Sequence, residues 1–248
     1  MLSYAVSLGN RFFVFDQTWS SGNLTFDELM PFRAPADSPP DVLLSLGTID
    51  ATGALALPGI RHLSLHLDEK SSPPRLVFQA RQALPPVVAI KIACALLAPR
   101  WGGLFLHAAF LTQNGHGILL TGPSGSGKST LTRAWLARGG ICGTDEAALV
   151  LPDANGIWQG FPTPFWGAIP PEFPSKPVAA TLHAHVVLRR GGFPLLMKCV
   201  FEGDRIANWR SMNTLARFLE ALPPVHLGKE RDILKRIHKL EGALSCRA

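Results

Sequence analysis

Cysteine is scarce and scattered in this sequence. Its four cysteines, Cys94, Cys142, Cys199 and Cys246, show no C-x-x-C spacing. That speaks against a zinc site and against a disulfide framework, and the thiols are expected to be reduced. Long apolar runs are also missing. The most apolar window, Pro86 to Ala98, is too short to cross a bilayer and holds Lys91 at its middle, so it reads as a buried helix. The N-terminus lacks a basic stretch followed by an apolar run and a small-residue cleavage site, which makes the cytoplasm the expected location. There is no internal repeat. An N-K-x-D guanine reader is absent, which argues against a GTPase, and an L-S-G-G-Q signature is absent, which argues against a transport ATPase. His183 and His185 alternate along an apolar run and are expected on one face of a strand, but no third ligand stands near them, so the pair does not read as a metal site. The formal charge of +6 is modest and is densest at Lys229, Arg231, Lys235, Arg236 and Lys239. This is the pattern of a solvated helix face, and neither nucleic acid nor membrane is expected as a partner.

What is present is a core and a phosphate grip. The chain has 248 residues, 47% of them apolar, enough for a real hydrophobic interior. Gly122-Pro-Ser-Gly-Ser-Gly-Lys-Ser129 satisfies G-x-x-x-x-G-K-[ST] at each fixed position. In such a loop consecutive backbone N–H groups turn inward to cradle a β-phosphate, and side chains at Gly125 or Gly127 are expected to obstruct them. Lys128 supplies a point charge between β- and γ-phosphates, and the Ser129 hydroxyl is placed for Mg²⁺. The candidate nucleotide-binding residues are Gly122, Ser124, Gly125, Ser126, Gly127, Lys128, Ser129 and Thr130. The context agrees. Gly117 to Thr121 is a short apolar run of the buried-strand kind, and Leu131, Ala134, Trp135 and Arg138 continue at helical spacing until Gly139-Gly140. The helix N-terminus is then aimed at the phosphates.

Elsewhere the pattern alternates between short apolar runs and turns. Leu2–Leu8 and Arg11–Phe15 flank a Gly-Asn turn, a strong hairpin signal. After the Pro-rich stretch 35–40 come runs at Val42–Leu46, Ala54–Leu57, Leu63–Leu67 and Leu76–Phe78, with Ser71-Ser-Pro-Pro74 as a loop. A helix is expected from Pro85 to about Leu97, then one strand over Leu104–Leu111. Asn114-Gly115 joins that strand to the one feeding the phosphate loop, which predicts an antiparallel hairpin directly before the loop. Later runs fall at Ala147–Leu151, Ile157–Phe161, Val178–Leu188 and Leu195–Phe201. Ser211 is expected to cap a helix carrying Met212, Leu215, Phe218, Leu219 and Leu222, and Ile233, Ile237, Leu240 and Leu244 mark a last amphipathic helix.

A phosphate loop fixes a ligand and not a reaction. The residues next to it narrow the chemistry. Asp145-Glu146 follows the phosphate-loop helix at the next strand, where one carboxylate reaches Mg²⁺ and the other accepts the proton of an incoming hydroxyl. From spacing alone an exposed turn explains the pair as well. Asp153 stands at a strand end, but the following Ala-Asn-Gly favours an ordinary hairpin turn. Arg189 and Arg190 end a predicted strand, as phosphoryl-stabilising guanidiniums or as surface arginines of a Gly-rich turn.

His107-Ala-Ala, Gly117 through Thr130, Arg138-Gly139 and Thr144-Asp145-Glu146 together resemble the catalytic core of the HPr kinase/phosphorylase family and its relatives. The spacing of His107 and Asp145 about Lys128 is similar, and the resemblance covers about residues 100 to 190. Thr163-Pro-Phe-Trp-Gly167 is similar to a segment of shorter HPr-kinase-like proteins, some of which phosphorylate a serine of a peptide natural-product precursor. The resemblance implies an α/β fold with a P-loop kinase core of the HPr kinase and phosphoenolpyruvate carboxykinase type. A small β-rich region over 1–84 then precedes a catalytic domain over 85–248. It further implies Lys128 on the phosphates, Ser129 and Glu146 on Mg²⁺, Asp145 as general base toward a serine hydroxyl, and His107 beside Asp145. The expected activity is an ATP-dependent serine kinase acting on a small protein or peptide, with homo-oligomeric assembly as a further expectation. A regulatory ATP-binding protein with slow hydrolysis and a small-molecule kinase are the alternatives.

Overall fold

The structure, a computed structural model, describes residues 4–20, 25–35, 37–50, 54–56, 62–169, 178–188, 205–227 and 233–245. It is a mixed α/β protein whose described strands form two mixed sheets. The chain divides into two compact units, one built on residues up to Leu97 together with Arg205–Asn208, and the other on residues from Ala98 with the remainder of the C-terminal helices.

The first unit begins with the hairpin of β1 (Tyr4–Leu8) and β2 (Arg11–Phe15). Gly9 and Asn10 both carry positive φ, 61° and 58°, the turn geometry that matches the twist of the strands. With β3 (Val42–Leu46), β4 (Leu55–Ala56), β5 (Leu63–Asp68) and β6 (Arg75–Ala80) they make a sheet in the order β1-β2-β3-β6-β5-β4. The apolar helix α1 (Pro86–Leu97) completes the unit. Asp16, just past β2, ties three segments together. Its carboxylate accepts hydrogen bonds from the Thr18 N–H and hydroxyl, from Ser45 Oγ, and from Arg75 Nη2 at 2.8 Å. Burial works against its charge, but these donors outweigh burial and hold the carboxyl below its ordinary value.

The second unit holds β7 (Leu104–Leu106), β8 (Ala108–Gln113), β9 (His116–Thr121), helix α2 (Lys128–Leu136), β10 (Ile141–Thr144), β11 (Ala148–Pro152), β12 (Trp158–Phe161), β13 (Ala180–Leu188), α3 (Arg205–Ala221), β14 (Pro224–Leu227) and α4 (Ile233–Ser245). The strand order is β10-β8-β9-β13-β12-β11-β7, with β14 against β13. The hairpin before the phosphate loop is present: β8 and β9 pair antiparallel across Asn114 and Gly115, whose φ values are 51° and 79°. On its other side β9 pairs parallel with β13. The run Leu104–Leu111, read from sequence as one strand, is two. It bends at His107, so that β7 pairs β11 while β8 pairs β9 and β10. The third helix also begins earlier than expected, at Arg205, which puts Ser211 inside it rather than at its cap. The expected strand at Leu195–Phe201 lies outside the described residues.

Alternate residues of this sheet face two helical layers. Ala109, Leu111, Ile118, Leu120, Val186 and Leu188 pack with Leu131 and Trp135 of α2 and Ile237 and Leu240 of α4. Ala108, Phe110, Leu119, Leu182 and Trp158 pack with Phe218 and Leu222 of α3. The sheet curls so far that a Cβ added at Gly160 of β12 would stand 2.3 Å from the Phe110 ring of β8. Gly117 and Gly143 likewise leave room for that ring.

The alternation expected to place His183 and His185 on one face is broken by an irregularity in β13 between Leu182 and Ala184. Ala180 and Leu182 face α3, whereas Ala184, Val186 and Leu188 face α2 and α4. A bulge inserts one residue and reverses the faces beyond it. His183 therefore meets His116, with Nε2 to Nδ1 at 2.9 Å, and the buried His185 packs on Phe218 and places Nε2 2.9 Å from Thr121 Oγ1.

Three measurements follow from these packing features. Phe110→Ala should lower the unfolding free energy by about 3–5 kcal/mol in a denaturant titration, because the curl cannot close on the void. Asp16→Ala should cost about 1–3 kcal/mol, and the difference from wild type should shrink as pH drops below about 4, where the unfolded carboxyl also protonates. Burial, with His226 adding repulsion, pushes the His185 imidazole down to about 4. The unfolded state then binds the proton first, so stability is full above about pH 6.5 and declines as pH falls toward 4. Urea midpoints between pH 7 and 4.5 should show this slope in wild type and a shallower one in His185→Gln.

Candidate functional site

The parallel strands β9 and β13 end together, Thr121 opposite Val187, and the phosphate loop leaves from that edge. In sheets of this kind the crevice beyond the carboxyl ends of parallel strands is where ligands bind. Gly122 is required by close approach: a Cβ there would stand 2.7 Å from Ser126 Oγ and 2.9 Å from the Leu188 carbonyl. Gly125 has a further reason to be glycine: no protein atom lies within 4 Å of a Cβ there, but its φ of 72° lies in the left-handed region. Gly127, with φ of 95°, caps α2 without a side-chain hydrogen bond, so the helix presents its first N–H groups to the loop.

Lys128 lies across this loop. Its Nζ donates to the Gly122 carbonyl at 2.7 Å and approaches that of Pro123 at 3.4 Å. Burial lowers its ordinary ammonium value, and the negative charge of Asp145 opposes that shift. The Ser126 hydroxyl is buried and has no hydrogen-bond partner. Ser129 is half-buried, while Ser124, Gly125 and Thr130 are exposed. An uncapped helix N-terminus, a buried ammonium and an orphaned buried hydroxyl on one short loop fit an anionic ligand such as a nucleotide phosphate. Among the described residues no three His, Cys, Asp or Glu side chains converge on a metal by themselves. Ser129 and Glu146 suit Mg²⁺ only in the usual phosphate-loop way, where water and the nucleotide supply most ligands.

Asp145 and Glu146 sit at the break between β10 and β11. The matching break at His107, between β7 and β8, lies directly against it: Ala108 N donates to the Glu146 carbonyl at 3.1 Å, and Ala108 is also paired with Thr121. The fold thus brings the backbones of His107, Gly122 and Glu146 together, although they are distant in sequence. His107 and Glu146 are each half-buried.

Asp145 is not an exposed turn residue; it is 4% exposed. Its Oδ1 accepts the Gly167 N–H at 2.7 Å, and its Oδ2 accepts those of Ala168 and Ile169 at 3.0 and 3.1 Å. Other side chains fix the same segment. Thr144 Oγ1 donates to the Phe165 carbonyl, Thr163 Oγ1 to that of Ala147, and Arg133 Nη2 of α2 to that of Ala168 at 3.0 Å. Sequence reasoning missed Arg133 and the Thr121–His185 pair, whereas Thr144 and Thr163–Gly167 left a trace only through resemblance. Asp153 is absorbed by its turn, accepting from the N–H groups of Asn155 and Ile157. Arg189 and Arg190 lie outside the described residues.

Residues 78–188 match the family model described as SynChlorMet cassette protein ScmC. The matched stretch runs from β6 through the phosphate loop to the end of β13. A search of curated proteins finds no match. The family match corrects the resemblance to the HPr kinase/phosphorylase family. The residues that carried it are a phosphate loop, its hairpin and an acidic pair, parts that different families share, whereas Pro123 and Thr130 stand where that family has an aspartate and a glutamate. The match that residues 78–188 do make is to ScmC.

Proposed function

We propose that this protein is an ATP-dependent phosphotransferase whose acceptor is a serine hydroxyl of a small protein or peptide. The observation that carries the reading is the pairing of a phosphate loop on an uncapped helix, holding Lys128, with the carboxylates of Asp145 and Glu146 at the end of β10. The charge of Asp145 acts on Lys128, so the two halves form one electrostatic unit. The P-loop nucleotide core is the finer fold description that goes with this reading.

The loop N–H groups and Lys128 hold the β- and γ-phosphates of the substrate ATP and draw charge toward the leaving side. The acceptor oxygen forms a bond to the γ-phosphorus while the bond from that phosphorus to the β,γ-bridging oxygen breaks. The electron pair leaves with ADP, and the hydroxyl proton passes to a carboxylate of the acidic pair and on to solvent. Mg²⁺, when bound through Ser129 and Glu146, would neutralise charge on the phosphate oxygens. On this reading His107, at the bend beside this pair, supports it. The name of the matching family speaks of a cassette, so a product encoded beside this chain is the first acceptor to try.

Intact mass of that acceptor after incubation with the protein and MgATP is expected to rise by one phosphate. Lys128→Ala should lower the rate on the order of 10²-fold or more. ATP that binds and hydrolyses slowly with no labelled acceptor would instead support a regulatory ATPase.

A further inference from the structure

We propose that Asp145 is a positioning residue: its carboxylate clasps residues 167–169 to form a fixed wall of the acceptor site. The assignment rests on the phosphotransferase reading and refines it.

The clasp is geometric. Three consecutive backbone N–H groups converge on the two oxygens of one buried carboxylate, at 2.7 to 3.1 Å. A backbone amide cannot reverse its polarity. Removing the carboxylate would leave at least one of these buried N–H groups without its acceptor. A carboxylate with both oxygens engaged in this way is built to hold a segment in place. Glu146 is the next residue in the chain, half-buried, and its backbone is fixed by Thr144 Oγ1 on one side and by Ala108 on the other. Its Cβ stands 3.7 Å from where a Cβ on Gly167 would lie, so the clasped segment and Glu146 border the same space.

The segment itself looks built. It has no regular secondary structure, yet Thr163, Phe165 and Ala168 are each tied by a side chain from β10, α2 or the segment itself. Its exposed surface is Gly167 and Ala168, two small residues beside the half-buried Trp166. A flat, small-residue rim next to an aromatic suits an extended peptide backbone, which needs close approach more than side-chain pockets.

The test combines amide hydrogen exchange at residues 167–169, steady-state kinetics with the acceptor and MgATP, and ATP binding, for wild type, Asp145→Asn, Glu146→Gln and Arg133→Ala. Asp145→Asn is expected to speed exchange at 167–169 by tenfold or more and to raise the acceptor KM more than it lowers kcat. Glu146→Gln, which leaves the clasp in place, should keep the protection of 167–169. Arg133→Ala removes a tie to the same segment from the helix surface, and should speed exchange at 168–169 and raise the acceptor KM with kcat held; it carries the test if Asp145→Asn does not fold. Unchanged exchange in Asp145→Asn would overturn the proposal, as would unchanged exchange and KM in Arg133→Ala. Wild-type protein that binds ATP but transfers nothing would sink the phosphotransferase reading, and with it the acceptor wall, whatever the exchange data say of the clasp.

Discussion

The placement of β9 is the constraint on which the second unit depends. It is buried on both faces, with Ile118 and Leu120 toward α2 and α4 and Leu119 toward α3. It is bonded on both edges, antiparallel to β8 and parallel to β13. A strand fixed in four directions cannot slip register without burying the wrong side chains. Its last residue, Thr121, therefore delivers Gly122 to one place, and the Thr121–His185 contact pins that end from below. Everything the loop does with Lys128 and Ser126 inherits its precision from this strand.

Around that anchor the site is assembled from interruptions in regular structure. β7 and β8 part at His107, β10 and β11 part at Asp145 to Ala147, and the loop parts β9 from α2. Each interruption frees backbone groups that must find partners once buried. Thr144, Thr163, Asp145 and Arg133 supply them, which is why short polar side chains are buried at this end of an otherwise apolar sheet. Sheet closure and loop anchoring are thus one problem solved by one group of residues, and a change at Thr144 would reach both.

How far the sequence could reveal this follows from how local each feature is. The hairpins at Gly9-Asn10 and Asn114-Gly115, and the turn from β9 through the loop into α2, are written in a few adjacent residues and could be read directly. The bend at His107 could not, because the apolar pattern runs unbroken across it and only the differing partners of β7 and β8 separate them. The irregularity in β13 belongs to its pairing with β9, more than sixty residues away in the chain. Helix α3 begins six residues before Ser211 because a helix propagates past its apolar stripe wherever the backbone allows it. Asp145 was legible as a candidate carboxylate, but its engagement was not: the three amides that hold it lie 22 to 24 residues further on, in a segment with no periodicity.

The same three amides resolve an electrostatic conflict in the site. On the phosphotransferase reading, a carboxylate close enough to act on Lys128 is also close enough to repel the phosphates that Lys128 would attract. Without a counterpart, the negative charge would help the ammonium survive burial and hinder the ligand in equal measure. Three N–H dipoles aimed at the carboxylate on its side toward residues 167–169 draw its charge into fixed partners. Lys128 meanwhile spends its own charge on carbonyl oxygens, chiefly that of Gly122, which are neutral acceptors and weaker partners than a phosphate. On the same reading, exchanging the carbonyls for a phosphate replaces a neutral hydrogen bond by a charge-assisted one and leaves the clasp intact, so the proposed ligand would require a movement of one side chain and not a rearrangement of the sheet.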